Sequence, residues 1–400
     1  MSNIKKISWI VLAIACLANF VPNYAQYQLS PFAPQLMEQF SMSPTQFSSI
    51  FTAAMIPAIV LSLAAGVLAD KFGLKCVIGI GLVVGALGAC LRIFANSYLS
   101  LMGFMILIGV GATLLNANSA KLIGSYFPQE KTISVMSVYQ SASTLSMAVA
   151  MGTTSLFASV SGAFTVAAVL SVGVMLLWWV FVRNPEKEAG PQMPEMPQVS
   201  IMEGLKIVAK NKYVWLTAFC LMGIIACATG MNAFLPTALA TRGIDAVQAG
   251  VIASFMTIGN LVGCLLVPFV ANRIGRNRPV LLVCSAIGIL GAAFAWRAPE
   301  GIMLMAALFV TGASLSGMVP LLMPIPVQLK EIGPAFGGTA GGFVCTIQLL
   351  GTVLIPSYII APITGTNMNL YYILCAACVL LAFVLVFFLP DFGRKAAARQ

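Results

Sequence analysis

Apolar residues fill long runs along this 400-residue chain, and polar residues gather in the short segments between them. Each run has about 18 residues or more, and a helix rising about 1.5 Å per residue would then cross a hydrocarbon core of roughly 30 Å. The pattern predicts an all-α membrane protein with twelve transmembrane helices. They cover residues 7–30, 45–69, 77–94, 99–126, 134–158, 164–182, 214–238, 247–271, 280–296, 302–327, 335–360 and 370–389.

A polar segment at 183–200 divides these runs into two sets of six. Its prolines and charges are typical of a flexible linker or surface loop. The sequence therefore predicts an N-terminal six-helix bundle at 1–183, a cytoplasmic linker loop at 184–212 and a C-terminal six-helix bundle at 213–400.

The composition excludes a water-soluble globular protein, because 60% of the residues are hydrophobic and only 8% are charged. All but three of the 21 basic residues fall in loops on one side if both termini are cytoplasmic; the exceptions are Arg92, Arg242 and Arg297. Basic residues are retained on the cytoplasmic side. The net charge of +10 therefore reflects the topology of the loops and does not indicate binding to nucleic acid. The expected location is a bacterial inner membrane, with the lipid bilayer as the partner of the apolar helices.

The two sets of helices share sequence at a fixed offset of 202 residues. FAPQL at 32–36 is echoed by FLPTAL at 234–239, and GVLADKFG at 66–73 aligns with PFVANRIG at 268–275. The chain is therefore predicted to contain two parallel six-helix repeats, an arrangement in which two halves can expose a site between them to each side of the membrane in turn.

The pattern G-x-L-x-D-K/R-x-G between the second and third spans, with its weaker second copy, resembles the major facilitator superfamily. The resemblance implies a secondary transporter working by alternating access, in which the motif braces the cytoplasmic ends of the halves. The residues expected to form this conformational gate are Gly66, Asp70, Lys71, Gly73, Asn272, Arg273 and Gly275.

Asp70 is the acidic group of that gate. It is expected near Gly333, at the start of the eleventh span, where a carboxylate gains about 0.3 to 2 kcal/mol from the helix dipole. Gly66 is expected to let its helix approach a neighbour closely, and Gly73 to permit a tight turn. The alternative is that Asp70 is only a loop charge that helps to set topology.

Neutral polar residues in the first span form a stripe along one helical face, because Asn19, Asn23, Gln26 and Ser30 follow a spacing of i, i+4, i+7 and i+11. In lipid such a face must contact protein or water. It is predicted to contact substrate, with interhelical hydrogen bonding as the alternative. The other candidate substrate-binding residues are Tyr27, Asn116, Tyr139, Gln140, Asn232, Ser314 and Gln348.

Two cations lie near the membrane and are candidate anion contacts. Lys121 is about 9 Å from the cytoplasmic end of its helix, so snorkelling to the interface is the alternative. Arg92 is expected near the periplasmic mouth, where it binds an anion or simply marks the interface.

The eleven acidic residues fall at predicted helix ends or in loops, and histidine is absent. Proton symport usually needs a buried carboxylate or histidine. Uniport or exchange is therefore favoured, for a small polar or anionic metabolite. No nucleophile–base pair or metal cluster is visible, so no catalytic residue, metal or cofactor is predicted, and the protein is expected to be a monomeric transporter rather than an enzyme.

A likeness within the superfamily points to the nitrate, cyanate and small-organic-anion porters, on the segments YQLSPFAPQL, NANSAKLIGSYFP and SGMVPLLMPIP. The arginines expected of nitrate porters in the second and eighth spans are absent, which makes nitrate itself improbable. Two alternatives stay open: an efflux pump for hydrophobic compounds, and a membrane receptor or sensor that does not transport.

Overall fold

The computed structural model describes residues 6–182, 201–329 and 332–391. Within those ranges the side chains at 63, 70, 129–134, 201–204, 327 and 333–338 lie outside the description. Backbone contacts divide the chain into two units, Met1–Gln192 and Met193–Gln400. The boundaries 1–183, 184–212 and 213–400 stay a prediction.

The first unit contains eight helices in its described part, with a 3-10 turn at Arg92–Phe94. They are α1 (Lys6–Tyr27), α2 (Ala33–Gln39), α3 (Pro44–Ala53), α4 (Ile56–Phe72), α5 (Leu74–Leu91), α6 (Tyr98–Tyr126), α7 (Gln129–Thr154) and α8 (Val160–Phe181).

The second unit contains nine α-helices in its described part, with a 3-10 turn at Ala295–Arg297 and a π-helical segment at Ile355–Ile360. The α-helices are α9 (Ile201–Lys210), α10 (Lys212–Ala240), α11 (Ala246–Ile274), α12 (Asn277–Phe294), α13 (Ile302–Leu322), α14 (Ile325–Gln328), α15 (Gly333–Leu354), α16 (Ala361–Thr364) and α17 (Met368–Val386).

Short polar side chains begin many of these helices. Ser43 and Ser97 each form a capping box with the residue three positions later, which satisfies backbone N–H groups that have no partner within the helix. Asp245 and Asn367 cap α11 and α17 in a similar way. The polar residues between the apolar runs therefore fix where the helices start.

Eleven segments of the described chain are long and apolar enough to cross a membrane. The twelfth, α7, has 26 residues, enough to span, but its serines, threonines and glutamines lower its mean hydropathy. The predicted twelve-helix, all-α membrane fold is thus confirmed. The cytoplasmic placement of the termini stays a prediction from the basic residues.

The helices of the two units pair in the same pattern. In the first unit α1 packs on α7 and α8, α4 on α6, and α5 on α6 and α8. In the second unit α10 packs on α15 and α17, α11 on α13, and α12 on α13 and α17. Each of these paired long helices therefore has a counterpart with corresponding neighbours, which confirms the predicted six-helix repeat.

Glycines set the closest helix contacts at corresponding places in the two units. A Cβ at Gly109 of α6 would lie 2.2 Å from the carbonyl oxygen of Ala54, and a Cβ at Gly312 of α13 would lie 2.0 Å from that of Met256. Only glycine permits such approach of two backbones. Ala54 and Met256 are 202 residues apart and Gly109 and Gly312 are 203 apart, so the contact recurs in the second unit within one residue of the repeat offset.

One predicted span and the predicted linker differ in detail from the structure. The span at 45–69 is two helices, α3 and α4, because Pro57 lies at the start of α4 and cannot supply the N–H of a continuous helix. The last part of the predicted linker forms a helix, α9.

Candidate functional site

The polar stripe of α1 is largely engaged with neighbouring helices. The Asn19 amide donates to the Tyr139 carbonyl oxygen (3.0 Å), and the Gln26 amide donates to the Phe51 carbonyl oxygen (2.8 Å). The Asn23 amide donates to the Asn19 carbonyl oxygen, one turn earlier in the same helix (2.8 Å). Asn19 and Gln26 are both buried, and their amide N–H groups form the interhelical hydrogen bonds that were the alternative to substrate contact.

A chain of hydrogen bonds joins α1 to α7 and α6. Asn19 bonds the backbone of Tyr139, and the Tyr139 hydroxyl donates to Asn116 Oδ1 (2.6 Å). Tyr139 is fully buried, whereas Asn116 is exposed. Since the phenol occupies the oxygen of the Asn116 amide, the exposed end of that side chain offers its N–H donors.

Two further candidates, Gln140 and Lys121, are exposed in the same unit. The Lys121 ammonium lies 3.4 Å from the carbonyl oxygen of Gly66, which places it between α6 and α4. Together with Asn116, these residues give the first unit exposed donors and one cation, the groups that recognise an anion.

Tyr27 and Ser30 lie in the interior at the end of α1. The Tyr27 ring meets the Phe51 ring edge-on, with centroids 5.3 Å apart, and both residues are buried. Ser30 is also completely buried. Both candidates are thus buried, and the Tyr27 ring packs against α3.

Arg92 is buried, with only 1% of its surface exposed. Its guanidinium donates to the Ala25 carbonyl oxygen (2.7 Å) and to Gln28 Oε1, and it lies over the Phe164 ring at 4.2 Å from the centroid. Gln28 in turn donates to the Ala163 carbonyl oxygen (2.9 Å). An anion would therefore have to displace protein acceptors to reach Arg92, and the structure instead shows it joining α1, α5 and α8.

The position of Arg92 also has an electrostatic reason. Ala25 is two residues from the end of α1, where carbonyl groups lack helical partners and the helix dipole is negative. The Arg92 guanidinium supplies a hydrogen-bond donor to the Ala25 carbonyl oxygen and a positive charge at the negative end of the helix dipole. Sequence reasoning missed Gln28; the signal was that a buried arginine needs a side-chain acceptor, and Gln28 lies beside the predicted stripe.

The candidates of the second unit bond mainly within their own helices. The Asn232 amide donates to the Ala228 carbonyl oxygen (2.7 Å), and the Ser314 hydroxyl to the Thr311 carbonyl oxygen (2.8 Å). Gln348 is half-buried on α15, and its Oε1 has no hydrogen-bond partner among the described residues. The structure does not bring these three side chains into one hydrogen-bonded group.

Both copies of the gate motif end their helix at a glycine with positive φ, although ψ is 145° at Gly73 and 13° at Gly275. Gly73 closes α4 with φ 84°, and Gly275 closes α11 with φ 77°. Each donates its N–H four residues back, to Ala69 and Ala271 respectively. This left-handed backbone favours glycine, so the tight turn predicted at Gly73 is present.

The other motif residues show a mixed picture. Lys71, Asn272 and Arg273 are exposed, and the Arg273 guanidinium lies 5.6 Å from the Phe269 ring centroid. A Cβ at Gly66 would meet no described atom within 4 Å, so the close approach expected there is not seen among the described residues. The side chain of Asp70 and those at the start of α15 lie outside the description.

Comparison with known proteins settles the family. The sequence matches the model of the Major Facilitator Superfamily over residues 9–356. The chain belongs to this superfamily. It is therefore a multi-pass membrane transporter, and the predictions of a transporter fold and of a protein that is not an enzyme are confirmed.

Two relatives cover most of the chain. It is 24% identical to the hexuronate transporter of Bacillus subtilis over 78% of this chain and 77% of that one. It is 22% identical to the probable sulfoacetate transporter of Cupriavidus necator over 84% and 83%. Among solved structures, a bacterial homologue of the human lysosomal transporter Spinster aligns with TM-score 0.73 and 14% identity over 99% of this chain and 98% of that one, which supports the fold alone.

Proposed function

We propose that this protein transports a small organic anion across a bacterial inner membrane by alternating access, as a monomer. The observation that carries the proposal is the Tyr139–Asn116 hydrogen bond, which orients an exposed amide donor on the helix that also carries Lys121. Amide N–H groups and one ammonium suit a carboxylate or sulfonate. The names of the two relatives point to substrates of that chemistry.

Uniport or exchange is the proposed mode. In the described chain the acidic residues lie at helix ends, in short helices or in loops, and the whole sequence has no histidine. A proton-coupled carrier would usually hold a carboxylate or a histidine within a spanning helix. Transport driven by the substrate gradient needs none.

Counterflow in proteoliposomes tests this function. Vesicles loaded with glucuronate or sulfoacetate should accumulate the labelled form of the same compound, and an imposed pH gradient should not increase the rate. Accumulation driven by the pH gradient would overturn the mode. Binding without flux would identify a receptor, and flux of hydrophobic dyes alone would identify an efflux pump; either result contradicts the proposal.

Asn116→Leu is the sharpest variant, because it removes the amide that Tyr139 orients. One lost hydrogen bond to a charged group, about 1.5 to 3 kcal/mol, predicts at least a tenfold fall in counterflow. Ala117→Leu is the matched control, since Ala117 is the adjacent exposed residue of α6 and the change introduces the same side chain without removing an amide. Equal losses in both variants would contradict the assigned role.

The conformational gate is part of the same proposal. A carboxylate at a helix N-terminus contributes about 0.3 to 2 kcal/mol, so Asp70→Asn should slow counterflow up to about thirtyfold with unchanged unfolding temperature. Asp245→Asn, which weakens only the cap of α11, is the control. A wild-type counterflow rate for Asp70→Asn would contradict the gate role of Asp70 and favour the alternative that it is only a loop charge that helps to set topology.

A further inference from the structure

A rigid corner joins α9 and α10 in the second unit. Asn211 lies between the helices, and its side chain accepts a hydrogen bond from the Tyr213 backbone N–H (2.9 Å). The Trp215 indole donates to the Ala209 carbonyl oxygen near the end of α9 (2.9 Å). These bonds connect the end of α9 to the first turn of α10 and hold their side chains in one place.

An aromatic groove of about 480 Å³ opens at this corner, lined by Lys212, Tyr213, Trp215, Leu216, Phe219 and Phe388. Trp215 stacks on Phe219 at 5.6 Å and meets Phe343 edge-on at 4.9 Å, so two of the lining rings are fixed against each other. Phe388 is 65% exposed. Phe219 lies seven positions after Lys212 in α10, about 10 Å along the helix, which gives the groove one charged end and one apolar end.

Lys212 lines the charged end of the groove, and two further lysines precede it on α9. Lys206 and Lys210 are exposed on α9, and Lys212 is exposed at the start of α10, with its ammonium 5.1 Å from the Tyr213 ring centroid. The carboxylate of Asp391, near the end of the described chain, accepts a hydrogen bond from the Asn277 backbone N–H and is not paired with these lysines in the described contacts. The charged side chains described on α9 and at the start of α10 are therefore basic.

We propose that this corner binds an anionic phospholipid, with its phosphate at the three lysines and an acyl chain in the groove. Charge complementarity selects the occupant, since basic segments beside a membrane helix attract anionic headgroups. Tryptophan and tyrosine occupy the level of the headgroups, and lysine extends its ammonium towards them. In a phospholipid the charged headgroup is joined directly to the hydrocarbon chains. A groove with an ammonium at one end and apolar side chains at the other matches that arrangement.

Native mass spectrometry of the full-length protein in a neutral detergent tests the site. We expect phosphatidylglycerol to stay bound in preference to phosphatidylcholine with the same acyl chains. Lys212→Gln should reduce retained phosphatidylglycerol about fivefold, the effect of one basic residue near an anionic surface, and Lys206→Gln with Lys210→Gln should reduce it further.

Lys75→Gln is the matched control, because Lys75 is a half-buried lysine of the first unit whose ammonium lies 5.9 Å from the Trp179 ring centroid, an aromatic contact like that of Lys212. Equal retention of both lipids, or equal losses in the Lys75 and Lys212 variants, would overturn the proposal. So would a rise in retained phosphatidylglycerol when Glu186, Glu188 and Glu195 are all replaced with Gln, since the lysines would then belong to the chain's own acidic segment.

Discussion

The first helices of the two units have the same neighbours but differ in polarity. At the repeat offset of 202, Asn19, Asn23 and Gln26 of α1 correspond to Leu221, Ile225 and Ala228 of α10. Ser30 corresponds to Asn232, so only the last position is polar in both. The repeated scaffold therefore carries a polar face in one copy and an apolar face in the other.

Features that both units share serve packing, and the polar face present in the first unit alone is the one assigned to the proposed transport site. The helix pairing and the Gly109 and Gly312 contacts occur in both units, because both bundles must pack. The hydrogen bonds from Asn19 through Tyr139 to Asn116 occur in the first unit alone among the described contacts. Changes to shared features should affect stability in both copies, whereas changes to the polar face should affect transport.

The largest effect is expected at Arg92, in the 3-10 turn that follows α5; the 3-10 turn that follows α12 also contains an arginine, the exposed Arg297, although the two are not aligned by the offset of 202. Arg92→Met would leave Gln28 Oε1 and the Ala25 carbonyl oxygen buried without this donor, at a cost of about 3 kcal/mol or more in the free energy of unfolding. Graded unfolding in SDS measures the loss.

Arg297→Met is the control for that prediction. Its guanidinium bonds Asn369 at an exposed position (2.5 Å), so its removal should change stability by less than about 0.5 kcal/mol. Comparable losses for Arg92 and Arg297 would show that the buried contacts at the end of α1 have no special role.

An intermediate effect is expected at the shared glycine contacts. Gly109→Ala and Gly312→Ala should each reduce the free energy of unfolding by about 1 to 3 kcal/mol, because the added methyl group overlaps a backbone carbonyl. Gly103→Ala in the same helix α6 should be neutral or stabilising, since its Cβ meets no described atom within 4 Å. A fall in the free energy of unfolding for only one of the two variants would contradict the claim that the two units share this packing contact.

The smallest effect on stability is expected for Asn19→Leu, which gives α1 the residue of its counterpart in α10. Interhelical hydrogen bonds in membranes average about 0.6 kcal/mol, so the unfolding transition should hardly move. Counterflow should nevertheless fall severalfold, because Tyr139 would lose one of the bonds that position Asn116. Leu221→Val, a conservative change on the apolar face, should leave counterflow unchanged; a fall there equal to that of Asn19→Leu would refute the functional asymmetry.

Much of the fold was predictable because its signals are local. The twelve spans, the repeat and the turn at Gly73 follow from runs of apolar residues, a fixed offset and a glycine between two helices. The interruption at Ala54 and Met55 was missed because apolar residues continue through it, although Pro57 was the local signal. The predicted boundaries of other helices moved by a few residues, where capping side chains decide the first turn.

The candidate site was predictable only in part. Spacing placed Asn19, Asn23 and Gln26 on one face of α1, but spacing cannot say which carbonyl groups a neighbouring helix presents to that face. The bonds to Tyr139 and Phe51 therefore emerged only from the packed unit. Gln28 was missed for the same reason, since its partner Arg92 is distant in sequence.

By itself the sequence determined that this is a membrane protein of two related six-helix repeats, because hydropathy, length and internal similarity are properties of segments and need no neighbours. The tertiary structure alone decided that Arg92 closes the end of α1, that Tyr139 orients Asn116, and that Lys212 lines an aromatic groove with Phe388, which is distant in sequence. Each of these depends on how helices rotate and pack, and packing brings together atoms that the chain separates by many residues.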